Sequence, residues 1–484
     1  MVFAVVFFLN SAANFAIGLT LSALLGPAEF GRYATVALAA MTLATALFDW
    51  LRLSSLRFSG DVEDRTRVAA SLDAGFLAMM ALAALVVAVG VLARFNFGFG
   101  PTLLALTPLV AIANARCDYA GAQLRARDQA RAFAALYALR QALTFTIVVG
   151  VACWTRDAAS VIAAIAATSL APVIILGAAM RTPGAALSQA SRERLAQFAV
   201  YAKPIVAATV IYQLIGLINR QAALGLFGAA ATGELSLATD LGARLFLVVN
   251  VLPEILLFQF ALKRDREEGR AAAQRQIGVN SVIAFAILAP LTAGYMAMAP
   301  TFEALIVPTA YRGDFARLSL ELAPGFFVFC ALYSTLNPVF QLARRTWPLT
   351  IAACAALIAD LTMLRFDVFT RDIDGLALAY ASSLGVGFLA AAVPGLRQAA
   401  SRPRSRDLVV IACATLAMTS AIRPLNGIAS PIVVAALALA IGGAIFAGAM
   451  LIFDVAGLRV AAASYLRAPR FGAASIALAR RRAL

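Results

Sequence analysis

Long apolar stretches follow one another along this 484-residue chain and leave room for little else. Hydrophobic residues make up 62% of it and charged residues only 13%, whereas soluble domains are roughly 45–50% apolar and 25% charged. A spanning helix needs about 20 apolar residues, so the chain can hold about fourteen of them. The sequence therefore predicts an all-α polytopic membrane protein. The predicted spans are 3–25, 33–51, 71–93, 101–124, 132–153, 158–180, 204–227, 235–261, 277–299, 318–342, 347–367, 375–396, 408–422 and 430–453.

Basic residues set the predicted orientation. About three quarters of the 40 Lys and Arg residues fall in alternate loops on one side of the predicted spans, which the positive-inside rule assigns to the cytoplasm. This places both termini in the cytoplasm. The thirteenth span, 408–422, is short and crosses fully only if Arg423 reaches the headgroups. The tail 455–484 is predicted as a basic cytoplasmic segment, either lying on anionic lipid or solvated.

Several classes of function are excluded by composition. The chain has no histidine, and its five cysteines form no CxxC pair, so we predict no metal, no cofactor and no His-based catalysis. Its net charge of +15 comes from basic residues clustered between the apolar runs. Such clusters indicate membrane topology, so we expect no nucleic-acid partner. No nucleotide-binding GxxxxGK[ST] segment is present, which excludes an ATP-driven pump within this chain. The apolar start, without a basic segment before it, is predicted to be an uncleaved first span; alternatively, the true N-terminus is longer.

A short pattern recurs 202 residues apart. Gly26 and Gly31 in LLGPAEFGRYATVALA correspond to Gly228 and Gly233 in LFGAAATGELSLATDL. The spacing suggests two homologous halves, which an even number of intervening spans would orient alike in the membrane. The alternative is that glycine simply favours tight turns in helical hairpins.

The same segment carries a resemblance to a known family. LGPAEFGRY (Leu25–Tyr33) resembles the turn between the first two spans of polysaccharide transporters, the O-antigen flippase-like branch of the multidrug/oligosaccharidyl-lipid/polysaccharide (MOP) superfamily. Weaker similarities occur in QLRARDQARAFA, LINRQAALGLFG and LPEILLFQFA. The chain departs from the family pattern at Asn219, where an aspartate is usual, and at Glu234, where an aromatic residue is expected.

The resemblance implies a MOP-type fold, with two six-helix lobes around a central cavity and two accessory helices. The lobes would be 1–196 and 197–400, followed by spans 13 and 14 at 401–454. It implies a flippase that moves a polyprenyl-pyrophosphate-linked oligosaccharide across the bacterial inner membrane by alternating access, for cell-surface or exopolysaccharide synthesis. Its partners would be that lipid-linked oligosaccharide, membrane lipids, and a polymerase and glycosyltransferases of the same pathway. No enzymatic activity is expected.

Charged residues deep within spans are the candidate cargo site, because ionised groups in the membrane core are costly and usually face a cavity or a partner. Arg140, Arg220 and Arg244 lie in the fifth, seventh and eighth spans. Asp240 lies four residues before Arg244, the favourable order for an intrahelical pair. Two arginines with one acid would suit a pyrophosphate, although the arginines could equally hold helices together. Arg220 shares a helix face with Gln213 and Gly216, a polar stripe expected to face water or ligand.

Other intramembrane polar groups allow two further roles. Asn10 and Asn14 share a face of the first span and could bind sugar hydroxyls or simply pack helices. The candidates for coupling transport to an ion gradient are Asp49, Asp240, Glu254 and Asp360.

Two rival functions stay open at this stage. A MATE-like ion-coupled antiporter of small molecules would be expected to have an acidic cavity, suited to cationic drugs. A polyprenyl-dependent glycosyltransferase or polymerase is a weaker alternative, because the longest predicted outer loop, 300–317, is short for such enzymes.

Overall fold

The computed structural model describes residues 2–59, 65–92, 100–177, 186–343, 345, 347–398 and 403–459. Within these ranges the chain is helical and contains no strand. Helix is the expected form for such runs, because it satisfies every backbone donor and acceptor within the segment, where a bilayer offers no water. The predicted all-α class is confirmed.

The described ranges contain fourteen helices, several of them divided. They are α1 (Val2–Phe58), α2 (Arg65–Leu92), α3 (Pro101–Ala126), α4 (Ala130–Thr155), α5 (Ala158–Ile175), α6 (Arg192–Glu268), α7 (Arg270–Ala297), α8 (Ala299–Ile306), α9 (Asp314–Leu342), α10 (Trp347–Met363), α11 (Asp367–Thr370), α12 (Ile373–Gln398), α13 (Ser405–Ile422) and α14 (Pro431–Ile452). Helices α1 and α6 each cover two predicted spans, and the short helices α8 and α11 cover none.

Helices α1 and α6 are each long enough to cross a membrane twice, and each is divided by one glycine. Gly26 has φ 70° and ψ 171°, and Gly228 has φ 84° and ψ −178°. This backbone region is open essentially to glycine alone. Pro27, which lacks an N–H, then starts the second arm of α1, a position where proline costs no hydrogen bond. The sequence predicted turns of several residues around Gly26–Gly31 and Gly228–Glu234, and these lengths are wrong. In the structure each turn is a single residue, Gly26 or Gly228.

The remaining spans agree with prediction to within a few residues. Ten segments of the described chain are long and apolar enough to cross a membrane, two of them being the divided helices α1 and α6, and Trp347–Met363 is a shorter apolar helix. The thirteenth predicted span is helical over Ser405–Ile422 and continues as a 3₁₀ turn through Leu425. The tail beyond 459 lies outside the described residues.

Side-chain caps secure the start of α5. The Asp157 carboxylate accepts hydrogen bonds from the backbone N–H and the hydroxyl of Ser160, both at 2.8 Å. These bonds stabilise the charged form and hold the pKa of Asp157 below its usual value. The Glu29 carboxylate, from the second arm of α1, accepts a third bond from the Ala158 N–H at 3.0 Å. Asp157, in the preceding loop, and Glu29, from α1, thus both cap the N-terminus of α5.

The described chain forms two compact units. The first comprises Met1–Leu252 and Phe302–Gln398, with a core in which α1, α3 and α5 pack through small residues such as Ala40, Ala111 and Ala166. The second comprises Pro253–Thr301 and Ala399–Leu484, where α13 packs on α7 and α14. The cavity described below lies wholly in the first unit. The predicted lobe boundaries at 196, 400 and 454 stay a prediction.

Candidate functional site

A cavity of about 610 Å³ lies among helices α1, α3, α4, α5 and α6. Its wall is mostly apolar, and the polar side chains that line it come from all five helices. Among these lining residues there are two arginines and no carboxylate. The cavity is therefore suited to an anionic or neutral polar group rather than to a cation. The polar lining residues are Ser11, Asn14, Tyr33, Asn114, Arg140, Thr144, Ser169 and Arg244.

Arg140 enters the cavity from α4. Its Nη2 donates to Asn114 Oδ1 at 2.9 Å, and its Nη1 lies 3.3 Å from Asp118 Oδ1, both on α3. Its side chain is 19% exposed and that of Asp118 is 46% exposed. Arg140 thus ties α4 to α3 and also faces the cavity. Thr144, which also lines the cavity, begins a five-residue π-helical turn.

Arg244 enters from the second arm of α6. Its Nη1 donates to the Asn14 carbonyl at 2.6 Å, and it lies over Gly18, where a Cβ would come within 3.2 Å of the same nitrogen. The predicted pair with Asp240 is not formed. Within the described residues, no carboxylate lies within ion-pair distance of Arg244. Its charge is available to a ligand, while one N–H anchors the first arm of α1.

Asn114 is held in a fixed orientation. Its Oδ1 accepts from Arg140 and from the Ser169 hydroxyl at 2.8 Å. Because a guanidinium can only donate, the amide must present its oxygen to Arg140. The Asn114 NH₂ group is therefore a second hydrogen-bond donor beside the arginine.

Gln141, next to Arg140, links α4 to the first arm of α1. Its Nε2 donates to Asn10 Oδ1 at 2.5 Å and to Asn14 Oδ1 at 3.1 Å. Asn14 lines the cavity, while Asn10 is absent from its wall. The two asparagines thus join helices, and Asn14 also offers a polar group to the cavity.

Arg220 does not line the cavity. It is 4% exposed, and its Nη2 donates to Asp240 Oδ1 at 2.5 Å while its Nη1 donates to the Ala34 carbonyl at 2.8 Å. It therefore joins both arms of α6 to the second arm of α1. The sequence could not show this contact, because it depends on which helix face meets α1.

The polar stripe of α6 contacts α1. Gln213 Nε2 donates to the Thr45 hydroxyl at 3.2 Å, and a Cβ on Gly216 would lie 3.5 Å from Leu38. Both residues are half-buried, and the expectation that the stripe faces water or ligand stays a prediction. A small or polar surface lets two helices approach closely, which explains its composition.

The acidic candidates have different surroundings. Asp49 accepts two bonds from Arg52 in its own helix, at 2.8 and 3.2 Å, and Asp240 is paired with Arg220. The side chain of Glu254 lies outside the described residues. Asp360 on α10 is fully buried; its Oδ1 accepts from Asn219 Nδ2 at 2.8 Å, and its Oδ2 has no hydrogen-bond partner in the described chain.

Sequence reasoning missed Asn114, Asp118 and Ser169. All three lie inside predicted spans, at 101–124 and 158–180. A search for every polar residue in a span, rather than for the deepest charges, would have found the partners of Arg140.

These observations define a multi-pass membrane protein whose helices enclose a basic cavity. No family model matches the sequence, and no curated protein matches it.

Solved structures do match. One is the lipid II flippase MurJ in an inward closed conformation, with a TM-score of 0.75 and 13% identity over 93% of this chain and 98% of that one. Another is an inward-facing multidrug resistance MATE family transporter of the MOP superfamily, with a TM-score of 0.61 and 16% identity over 80% of this chain and 95% of that one. The chain has the MOP-type fold, as its sequence resemblance predicted.

Proposed function

We propose that the protein is a flippase that moves a polyprenyl-pyrophosphate-linked oligosaccharide across the bacterial inner membrane by alternating access, for cell-surface or exopolysaccharide synthesis. Arg140 and Arg244, in a cavity whose described lining residues include no carboxylate, are the observation that carries the proposal. A guanidinium donates to phosphate oxygens through a planar fork and stays charged at any physiological pH. The two arginines bind the pyrophosphate.

The neutral groups of the cavity support the sugar part of the proposed cargo. Asn14, Asn114, Thr144 and Ser169 present amides and hydroxyls beside the arginines. Such groups bind sugar hydroxyls, and the mostly apolar remainder of the wall suits a lipid carrier. Of the six cargo-site candidates from the sequence, Arg244, Arg140 and Asn14 are assigned to binding here. Arg220, Asp240 and Gln213 are not.

The fold supports translocation rather than catalysis. MurJ, whose structure this chain resembles over 93% of its length, is a lipid II flippase. By extension, the protein would act without an enzymatic step, with both termini in the cytoplasm and the lobes at 1–196 and 197–400 moving about the cavity. The lipid-linked oligosaccharide, bilayer lipids, and the polymerase and glycosyltransferases of its pathway are the proposed partners.

Asp360 is the proposed coupling group. An ionised carboxylate that is fully buried, with one amide donor and no cation in ion-pair distance among the described residues, is too costly to persist. It must take up a proton or a metal cation. The Ser383 hydroxyl lies beside the Asp360 carboxyl and donates to the Tyr380 carbonyl at 2.7 Å.

A MATE-like antiporter is the second candidate, because the fold also resembles a MATE family transporter. The charge of the cavity separates the two proposals. Cationic drugs require a carboxylate in the binding cavity, and the lining residues provide none.

Deletion of the gene tests the function in cells. We expect loss of surface polysaccharide and accumulation of lipid-linked intermediates on the inner leaflet. Retained export with altered drug tolerance would support the antiporter instead.

Purified protein tests the site. Inorganic pyrophosphate and a short-chain polyprenyl pyrophosphate are titrated against the wild type and the Arg140→Ala and Arg244→Ala variants. Each loss of a charged hydrogen-bonding partner is expected to weaken binding by about 1.5–3 kcal/mol, or roughly 10- to 100-fold. Arg371→Ala, an exposed loop arginine, is the matched control and should bind as the wild type. Equal binding by all four proteins would refute the assignment.

A further inference from the structure

The second arm of α1 (27–58) and helix α6 meet along a continuous line of contacts, which we call the seam. Thr45 meets Gln213, Leu38 meets Gly216, and the Ala34 carbonyl accepts from Arg220. Each step along α1 toward Gly26 is matched by a step along α6 toward Gly228. The seam therefore ends where the two dividing glycines lie.

At that end the backbones touch. A Cβ on Gly31 would lie 2.1 Å from the Ala229 carbonyl oxygen, and a Cβ on Gly233 would lie 2.0 Å from that of Pro27. Real Cβ atoms do not approach oxygen this closely, so any side chain at either glycine would force the two turns apart. The contact exists only because both positions are glycine.

The loop before α9 adds a second contact at the same end. Tyr311 is fully buried; its hydroxyl donates to the Ser22 carbonyl at 3.2 Å, and its ring meets that of Phe30 edge-on, with centroids 6.1 Å apart. Ser22 lies four residues before Gly26. Tyr311 therefore holds both arms of α1 beside the glycine contact.

Arg220 contacts α1 at Ala34, about one helical turn beyond Gly31. Its guanidinium joins the Ala34 carbonyl of α1 to the Asp240 carboxylate of α6. Asp240 in turn precedes the cavity arginine, Arg244, by one turn of the same helix. A movement that separates α1 from α6 here breaks the bond from Arg220 to Ala34, while the Arg220–Asp240 pair holds the two arms of α6 together.

We propose that Gly31, Gly233, Arg220, Asp240 and Tyr311 form a latch that closes the cavity on the face where Gly26 and Gly228 lie, and that it must open for the cavity to reach that face. This inference rests on the proposed alternating access. Arg220 and Asp240 thereby act in the conformational change and not in cargo binding. The orientation predicted from the basic loops makes this face extracytoplasmic.

Accessibility of a cavity cysteine tests the latch. All five native cysteines are replaced, and a cysteine is placed at Ser11, an exposed residue of the cavity wall. Labelling by a membrane-impermeant thiol reagent is measured from each face of sealed vesicles. A separate cysteine at Thr309, in the exposed loop beside Tyr311, identifies the face on which the latch lies.

The variants are Gly31→Ala, Gly233→Ala and the double variant Arg220→Met/Asp240→Asn, which removes both charges together. Gly225→Ala is the control, because its Cβ would meet nothing within 4 Å. In each latch variant we expect labelling of the cavity cysteine from the Thr309 face to rise about tenfold, as a minor open state becomes a major one. Labelling from the opposite face should fall.

Unchanged labelling in monodisperse glycine variants, or a rise on the opposite face, overturns the latch. If the glycine variants do not fold, the Arg220→Met/Asp240→Asn protein decides between the same two outcomes. The measurement needs no substrate. A wrong cargo assignment would therefore leave the labelling result intact, and a failed latch would leave the pyrophosphate titration intact.

Discussion

Gly31 and Gly233 lie 202 residues apart in the sequence and meet each other's turn in the structure. Gly31 faces Ala229, and Gly233 faces Pro27. Pro27 and Ala229 are also 202 residues apart, so the two contacts are equivalent. The same offset relates Gly26 to Gly228, which share one rare backbone conformation. Such an exchange of contacts is what a local two-fold axis produces. The sequence echo therefore corresponds to a repeated local contact at this point, and the two homologous halves stay a prediction.

Replacement of a dividing glycine should strain the backbone alone. A Cβ at Gly26 or Gly228 would meet nothing within 4 Å, yet their backbone region costs other residues about 1–3 kcal/mol. We expect Gly26→Ala and Gly228→Ala to lower the thermal midpoint of the purified protein. Gly225→Ala, in the helical interior of α6, should leave it unchanged or raise it slightly. Equal midpoints for all three variants would show that the two kinks carry no strain.

Single and double substitutions at the Arg220–Asp240 pair should not add. Arg220→Ala leaves Asp240 without its partner and should cost about 2–4 kcal/mol, the lower value reflecting the partial exposure of the aspartate. Removal of both charges in Arg220→Ala/Asp240→Ala should restore part of that loss. The free energies of unfolding of the wild type and the three variants form a double-mutant cycle. A coupling energy near zero would contradict the pairing.

Asp360→Asn should separate transport from its driving ion. Asparagine keeps the oxygen that accepts from Asn219 but cannot take up a proton or pair with a cation. We expect the protein to fold normally and its transport to become insensitive to an imposed ion gradient. Asp49→Asn is the comparison, because Asp49 is already paired with Arg52. Gradient dependence lost in Asp49→Asn and retained in Asp360→Asn would reverse the assignment.

The Asp157 cap should make stability depend on pH. Its pKa is lowered in the folded protein, so the charged carboxylate stabilises the fold above the unfolded value of about 3.9, and this contribution is lost as the pH falls through the folded value. Asp157→Ala should cost about 1 kcal/mol at neutral pH. Asp157→Asn keeps a capping oxygen without a titrating group. The difference in thermal midpoint between wild type and Asp157→Asn should therefore shrink below pH 4; a constant difference would rule out the charge as its cause.

Much of the fold could be predicted because the membrane makes the sequence simple to interpret. Apolar runs such as 132–153 and 430–453 coincide with α4 and α14 because a span must be both apolar and helical. The turns were harder. Segments around Gly26 and Gly228 contain glycine, proline and polar residues that are typical of loops, yet helix continues through all but one residue of each. Two backbones in contact exclude side chains and water, so the glycines serve close approach rather than a long turn.

The candidate site was predicted in part for a similar reason. Depth in a span correctly singled out Arg140 and Arg244 as unusual, since both charges need a cavity or a partner. Periodicity placed Gln213 and Arg220 on one face of α6 but could not say what that face meets. Only the packing of α6 on α1 shows that this face contacts another helix. Asp118 and Asn114 were missed because they become significant only as partners of Arg140.

The cavity and the seam use different residues of the same two kinked helices. Asn14 and Arg244 face the cavity, while Ala34 and Arg220 hold the seam. Substitutions at the wall can therefore alter what the cavity accepts while the seam stays intact, so binding preference and helix packing can evolve separately in this chain.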